Sequence, residues 1–278
     1  MGCVPDAWVA VPARDAGPEA SLADVRDVDP GADETGTCPH DAGSVCGCRS
    51  GHPRCGFTCV EGPRNLYRGE GDGRDGAGSQ HATQSTAGFA DGRFGRAFAF
   101  GGDRTRQYLT LPPGVLDFGE GDFTVSFWFE STLHGNLLSK RASCWGGAPH
   151  TGLDLRLTYA GGLIMELWST TGLFMHRTPP GLNDGVWHHV AIIRDGSTAS
   201  FYVDGDAAWT REITGALRDP TDTPVYLGVG RCVPGAPGSN GNQDGSTWLD
   251  GRIDEVAFLP RALSATELLA VVQGRCAL

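Results

Sequence analysis

Short runs of β-branched and aromatic residues, each closed by glycine or another turn residue, fill the chain from about residue 96 onward. Phe123-Thr124-Val125-Ser126-Phe127-Trp128-Phe129 is one such run, and Val186 to Ile193 is another. Residues of this kind favour a pleated surface, and the pattern predicts strands near 96–101, 106–111, 122–130, 136–141, 152–158, 161–168, 172–177, 186–195, 198–204, 224–229 and 247–259. Asp195-Gly196-Ser197 supplies the positive-φ position of a tight turn, so the strands on either side of it form a hairpin. Helical periodicity is almost absent, which points to an all-β sandwich or barrel. One helix is expected from Ser264, where Ser-x-x-Glu makes a capping box ahead of Leu268, Leu269, Val271 and Val272.

The first quarter of the chain reads differently. Residues 1–37 are rich in Pro, Ala, Gly and Asp with few large apolar side chains, and such a segment cannot bury enough surface to offset chain entropy. It is expected to be a disordered acidic tether. Residues 38–64 hold Cys38, Cys46, Cys48, Cys55 and Cys59 with little else to pack, so cross-links must replace a core there. His40 and His52 among these thiols raise zinc as an alternative, but two well-separated Cys-x-x-Cys pairs are missing. Disulfides are the expectation, and with nine cysteines in the chain they place it in an oxidising, exported setting. A net charge of −11 argues against nucleic acid as a partner. The start, Met1-Gly2-Cys3, is similar to the end of a lipoprotein signal, with Cys3 as the residue that would carry the lipid; chance is the competing explanation.

From about Asn65 to Cys276 the order of elements resembles the laminin-G-like branch of the concanavalin A-like lectin and glucanase superfamily. The resemblance is carried by Gly69-Glu70-Gly71 as the opening strand, the loop Asp75-Gly76-Ala77-Gly78, the strand in Gly92 to Phe100, the Phe123 to Phe129 strand, the Trp187-His188-His189 hairpin, and Gly251-Arg252-Ile253-Asp254-Glu255-Val256. It implies a jelly-roll β-sandwich over residues 65–278. It also implies that Cys144 and Cys232, which follow strands similar to neighbouring ones in such domains, form a bridge. Cys276 would then join the N-terminal cluster, because jelly-roll termini lie close together, and Cys3 would remain for lipid.

Calcium is the cofactor that the resemblance implies, with Asp75 and Asp254 in positions similar to those of structural calcium ligands and Glu70 and Asp72 as companions. The alternative is that Asp75 shapes its turn and Asp254 caps backbone amides. Trp187-His188-His189 reads as structural, since adjacent strand residues point to opposite faces and cannot form one site. Glucanase relatives use a Glu-x-Asp-x-x-Glu pattern that is missing here. Asp254 and Glu255 fall on opposite faces, and Met165-Glu166-Leu167-Trp168 offers one glutamate alone, so no catalytic activity is expected.

Sugars present apolar ring faces edged by hydroxyls, so a glycan site needs an aromatic beside amides and carboxylates. Trp145 together with Asn240, Asn242, Gln243 and Asp244 fits that description; Trp168, Trp209 and Trp248 are strand tryptophans more at home in a core. The expected protein is a secreted or surface-tethered module that binds carbohydrate or mediates adhesion. The alternative is a structural or protein-interaction domain of the cell surface with no glycan ligand.

Overall fold

The computed structural model describes residues 64–141, 152–217, 223–230, 236 and 247–274, and every structural statement below concerns these residues. All nine cysteines, and with them the disulfide and lipid expectations, lie outside them, as does the tether.

Fifteen strands form two antiparallel sheets. They are β1 (Asn65–Tyr67), β2 (Gln84–Ser85), β3 (Gly88–Asp91), β4 (Arg96–Gly101), β5 (Leu109–Leu111), β6 (Phe123–Ser131), β7 (Gly135–Lys140), β8 (Gly152–Leu157), β9 (Leu163–Ser169), β10 (Gly172–Arg177), β11 (His188–Asp195), β12 (Thr198–Val203), β13 (Asp206–Glu212), β14 (Val225–Leu227) and β15 (Asp250–Leu259). The eight-stranded sheet runs β13-β12-β11-β6-β15-β4-β3, with β1 on the far half of β15; the seven-stranded sheet runs β10-β9-β8-β7-β14-β5-β2. Alternate residues of both sheets meet in one core. Phe98, Phe127, Ile192, Phe201 and Phe258 come from the first sheet, and Leu109, Leu138, Leu155, Met165 and Leu227 from the second. Each such side chain contributes roughly 1.5–3 kcal/mol on burial, so the inner faces fix the sandwich.

A short helix, α1 (Gly102–Thr105), ends at Arg106 in the left-handed region, so the strand expected from residue 106 begins only at Leu109. The helix expected at Ser264 is α2 (Ala265–Val272), and its capping box is formed in full between Ser264 and Glu267. Leu268 and Val271 set α2 against Leu66, Ala191, Ile193, Ala257 and Leu259, covering the outer face of the eight-stranded sheet. The opening strand lies at β1 rather than at Gly69-Glu70-Gly71. Gly69 has φ +72°, and a Cβ there would stand 2.6 Å from the Phe98 amide nitrogen, so this segment is a close crossing and not a strand. β13 was not anticipated, because it is an edge strand whose polar side chains are mostly exposed and only Ala208 and Trp209 touch the core.

The two histidines sit on opposite faces of β11, as strand alternation requires. His188 Nδ1 lies 2.8 Å from Asp204 Oδ2 and Nε2 lies 3.2 Å from Asp184 Oδ1. The bond to Asp204 outweighs partial burial and raises the His188 pKa. His189 is fully buried beside Trp128, with Nε2 2.8 Å from Ser126 Oγ, and burial pushes its pKa from 6.5 down to about 4.

These shifts act with opposite sign on stability. His188, with a raised folded pKa, stabilises the fold fully below the unfolded value, and that contribution is lost as pH rises through the folded one. His189, with a lowered folded pKa, contributes fully above 6.5, and as pH falls from 6.5 to about 4 that contribution is lost, a loss of roughly 3 kcal/mol. Urea unfolding is therefore expected to show a free energy that falls with acidification across that window. His189→Gln should remove most of the fall, leaving the His188 slope and the contribution of His176, whose pKa burial also lowers; an unchanged acid limb in that variant would refute the assignment.

Candidate functional site

With α2 on the outer face of the eight-stranded sheet, side chains able to do chemistry gather on the outer face of the other sheet. Leu153, Leu155 and Leu157 of β8 and Leu163, Met165 and Leu167 of β9 point into the core, so the residues between them point away from it. Strand register then lines up one residue from each of the seven strands: Gln84, Thr110, Tyr226, Ser139, Asp154, Glu166 and Met175. At the usual spacing between strands the row spans about 29 Å.

At its centre is an ionic network. Arg156 Nη1 lies 3.2 Å from Asp154 Oδ2 and its Nη2 lies 3.1 Å from Glu166 Oε1, while Arg141 Nη1 lies 3.4 Å from Glu166 Oε2. Burial raises the Asp154 pKa, and the nearby Arg141 and Arg156 only partly offset it. Two cations and two anions cancel here. Breaking such a buried set by removing one partner typically costs 3–5 kcal/mol, because the other charge is left unpaired.

Beside the network, Asn136 stands opposite Arg156, and its Oδ1 accepts from the Thr247 amide at 3.1 Å. The buried atoms Asn136 Nδ2, Thr247 Oγ1 and Thr110 Oγ1 have no hydrogen-bond partner in the structure. A polar atom left so costs about 1–3 kcal/mol. This face therefore carries uncommitted hydrogen-bonding capacity.

Towards β10 the face opens. Trp168 is half-buried, opposite Gly152 on one side and Leu173 on the other, and Leu173 and Met175 are 41% and 49% exposed. Trp248 instead packs with Tyr226, Val229 and Ala236 and partly with Tyr108, and Trp209 lies against the core. The expected ligand residues Trp145, Asn240, Asn242, Gln243 and Asp244 fall outside the described residues. Glu166 reads in sequence as one glutamate alone, joined with Asp154 only as the two acids whose mutation would test hydrolysis; register with β8 places Asp154 directly opposite it.

The four expected calcium ligands do not meet at one point, and among the described residues no group of three or more His, Cys, Asp or Glu is arranged to hold a metal. Asp75 Oδ1 accepts from the amides of Leu66, Ala77 and Gly78 at 2.9, 3.1 and 3.0 Å; its Oδ2 accepts from Asn65 Nδ2 at 2.7 Å and the Gln80 amide at 3.2 Å. A carboxylate with five N–H donors on it is an anion in an amide cradle and does not fit a cation. Asp72 closes a local turn on Arg74. Glu70 and Asp254 approach one location: Glu70 Oε2 accepts from the amide of Arg96, the first residue of β4, and Asp254 Oδ2 from the Phe94 amide in the turn before it. Two hard oxygen donors beside one turn are of the kind calcium takes, although Asp254 Oδ1 also accepts from the Glu255 amide.

Residues 102–269, more than half of the chain, match the Laminin_G_3 family model, described as the concanavalin A-like lectin/glucanases superfamily. The chain belongs to this family. No curated protein matches it. Among solved structures, the concanavalin A-like fold is shared with domain 4 of AbnA, an extracellular arabinanase from Geobacillus stearothermophilus solved with arabinotriose, at 18% identity and TM-score 0.57, covering 76% of this chain and 98% of that one. The binding domain of paraclostridial mosquitocidal protein 1 aligns at 16% identity and TM-score 0.54, covering 76% of this chain and 52% of that one. The botulinum neurotoxin DC binding domain, solved with rat synaptotagmin II, aligns at 10% identity and TM-score 0.54, covering 77% and 51%. The chain thus spans about half the length of these toxin domains.

The cradle makes Asp75 a structural anion. Burial alone would raise its pKa, but the Leu66 amide, Asn65 and the following amides outweigh this and lower it. Its contribution is present above the unfolded value and lost as pH falls through the folded one. Asp75→Asn, which removes the charge and sets an amide group against N–H donors, is expected to lower unfolding free energy by about 2–4 kcal/mol. A variant as stable as the parent in urea would show that the cradle contributes nothing.

Proposed function

We propose that the protein is a binding module that takes a neutral saccharide on the outer face of the seven-stranded sheet, at the end bounded by Trp168, Leu173 and Met175. The observation that carries this reading is an accessible tryptophan beside an arginine–carboxylate network whose charges cancel. An aromatic face suits the apolar face of a sugar ring, and paired polar groups offer both donors and acceptors to its hydroxyls. A uronate or sialate would find no uncompensated cation in the network. The arabinanase domain of the same fold, solved with arabinotriose, supports the ligand class. Exposed Leu173 and Met175 favour a second reading, a protein partner, as for the toxin domain solved with synaptotagmin II.

Binding is preferred to hydrolysis because Arg156 bridges Asp154 and Glu166, which leaves neither carboxylate placed to donate or take a proton. Display outside the cell is the setting that nine cysteines favour, and the arabinanase whose domain shares the fold is extracellular. A structural calcium ion would be held by Glu70 and Asp254 and would pin the β3–β4 turn to β15.

Titration of the full chain against neutral and acidic oligosaccharides is expected to give binding in the neutral set, weakened at least tenfold, about 1.4 kcal/mol, by Trp168→Ala. Selective binding of acidic sugars would refute the charge argument, and undiminished binding by the variant would refute the site. Turnover of any sugar bound, lost in Glu166→Gln, would restore the hydrolase reading.

Thermal melts in calcium and in EDTA test the ion separately. Calcium at a hundred times its Kd adds about 2.7 kcal/mol, so a higher Tm in calcium is expected, and the difference should vanish in Glu70→Gln and Asp254→Asn. Identical melts of the parent chain in the two buffers would exclude calcium.

A further inference from the structure

We propose a second saccharide site at one end of the sandwich, built on Tyr159 and separate from the sheet face. Three of the exposed large apolar side chains lie on turns at this end: Leu133 between β6 and β7, Tyr159 between β8 and β9, and Val186 between β10 and β11, at 47%, 84% and 53% exposure. Scattered exposed hydrophobics need no explanation; these are held together. The Gly185 amide donates to Ser131 O at 3.1 Å and the Leu182 amide to Gly161 O at 2.8 Å, so the β10–β11 connection is stitched to both other turns. The β8–β9 turn is closed by reciprocal bonds from the Thr158 amide to Gly162 O at 2.8 Å and from the Gly161 amide to Thr158 O at 2.9 Å. Asn183 packs over Gly161 so closely that a Cβ there has no room. Behind the patch, Arg252 stacks on Trp187 at 5.3 Å and binds Glu130 at 2.6 Å.

This yields a pre-organised aromatic with polar neighbours. The His134 ring lies 5.3 Å from that of Tyr159 with its plane inclined by 56°, so it meets Tyr159 at an angle and does not stack over it. Asn183 brings a carboxamide to the β8–β9 turn at Gly161, while Asp184 is engaged by the Val186 amide at 3.0 Å and by His188 Nε2 at 3.2 Å. A ring with an imidazole and a carboxamide nearby suits a sugar ring edged by hydroxyls. Rigidity matters here, because a surface already ordered loses little entropy on binding.

Size and charge disfavour other occupants. A stable protein interface takes roughly 800 Å² from each partner, far beyond three apolar side chains on turns. An anionic membrane surface would be repelled by Asp184 and by a chain of net charge −11. The site is also remote from Trp168. Tyr159 precedes the first residue of β9 and Trp168 stands five residues along it, about 17 Å away. The proposal shares its ligand class with the sheet-face reading but none of its residues.

The test uses the full chain, its Tyr159→Ala and Trp168→Ala variants and the double variant, against soluble neutral arabino-, xylo-, gluco-, manno- and galacto-oligosaccharides. Binding is read by saturation-transfer NMR and calorimetry, with phosphatidylcholine vesicles as a parallel arm. The expected result is a Tyr159→Ala variant with unchanged Tm that loses at least tenfold in affinity for one sugar class, with saturation transfer surviving in that variant and vanishing only in the double variant. If Trp168→Ala binds like the parent while Tyr159→Ala does not, the sheet-face reading fails and this site stands. Binding unaffected by Tyr159→Ala, no saccharide binding by the parent chain, or vesicle binding that depends on Tyr159 would each overturn the proposal.

Discussion

The register slip in β15 is the constraint on which the rest of the sandwich depends. Between Asp254 and Ala257 this strand carries one residue more than β6 opposite it, and Glu255 takes φ +50° to absorb the excess. Because of that extra residue both Ile253 and Val256 enter the core, although strict alternation would send them to opposite faces. The slip also divides the neighbours of β15. Its first half pairs with β4 and its second half with β1. Each side of the bulge is fixed by a carboxylate, Asp254 on the Phe94 amide and Glu255 at 3.7 Å from Arg68. The positive φ at a glutamate is offset by what it makes possible, which is a ten-residue strand serving three partners.

A sandwich stabilised this way on its inner faces can carry polar groups on an outer one. The two outer faces differ accordingly. One is apolar and covered by α2, and the other holds Asp154, Arg156 and Glu166 next to unpartnered hydroxyl and amide atoms. Nothing in the packing of the core calls for those charges. An apolar set of the same volume often serves stability equally well or better, which agrees with the binding role proposed for this face. The capping carboxylates act differently. Asp75 gives both oxygens to backbone and side-chain N–H groups, and this ties the glycine-rich loop to β1.

Much of the fold was legible in the sequence because its signals are local. The Asp195-Gly196-Ser197 turn appears with β11 ending at Asp195 and β12 beginning at Thr198, and the Ser264 capping box forms as read. What could not be read depends on contacts far apart in the chain. Asp154 and Glu166 are twelve residues apart and meet only through the β8–β9 register. Alternation through Asp254 and Glu255 is interrupted by a bulge at the point where β15 changes its neighbour from β4 to β1. Gly69-Glu70-Gly71 suggests a strand by its place in the family pattern, yet Gly69 serves a backbone crossing at Ala97 and Phe98.

The same distinction governs how much each candidate residue can say about function. A carboxylate next to backbone amides, as at Asp75, is explained by the fold that it completes, and its chemistry needs no ligand. Tyr159 is not explained in that way. It lies outside the main core at 84% exposure, and a large aromatic kept in contact with water forgoes burial worth roughly 1.5–3 kcal/mol. It stands on a turn closed by its own hydrogen bonds, while the half-buried Trp168 stands within a paired strand. An aromatic fixed on rigid backbone but not buried is what a binding surface needs, since its orientation is set before the ligand arrives.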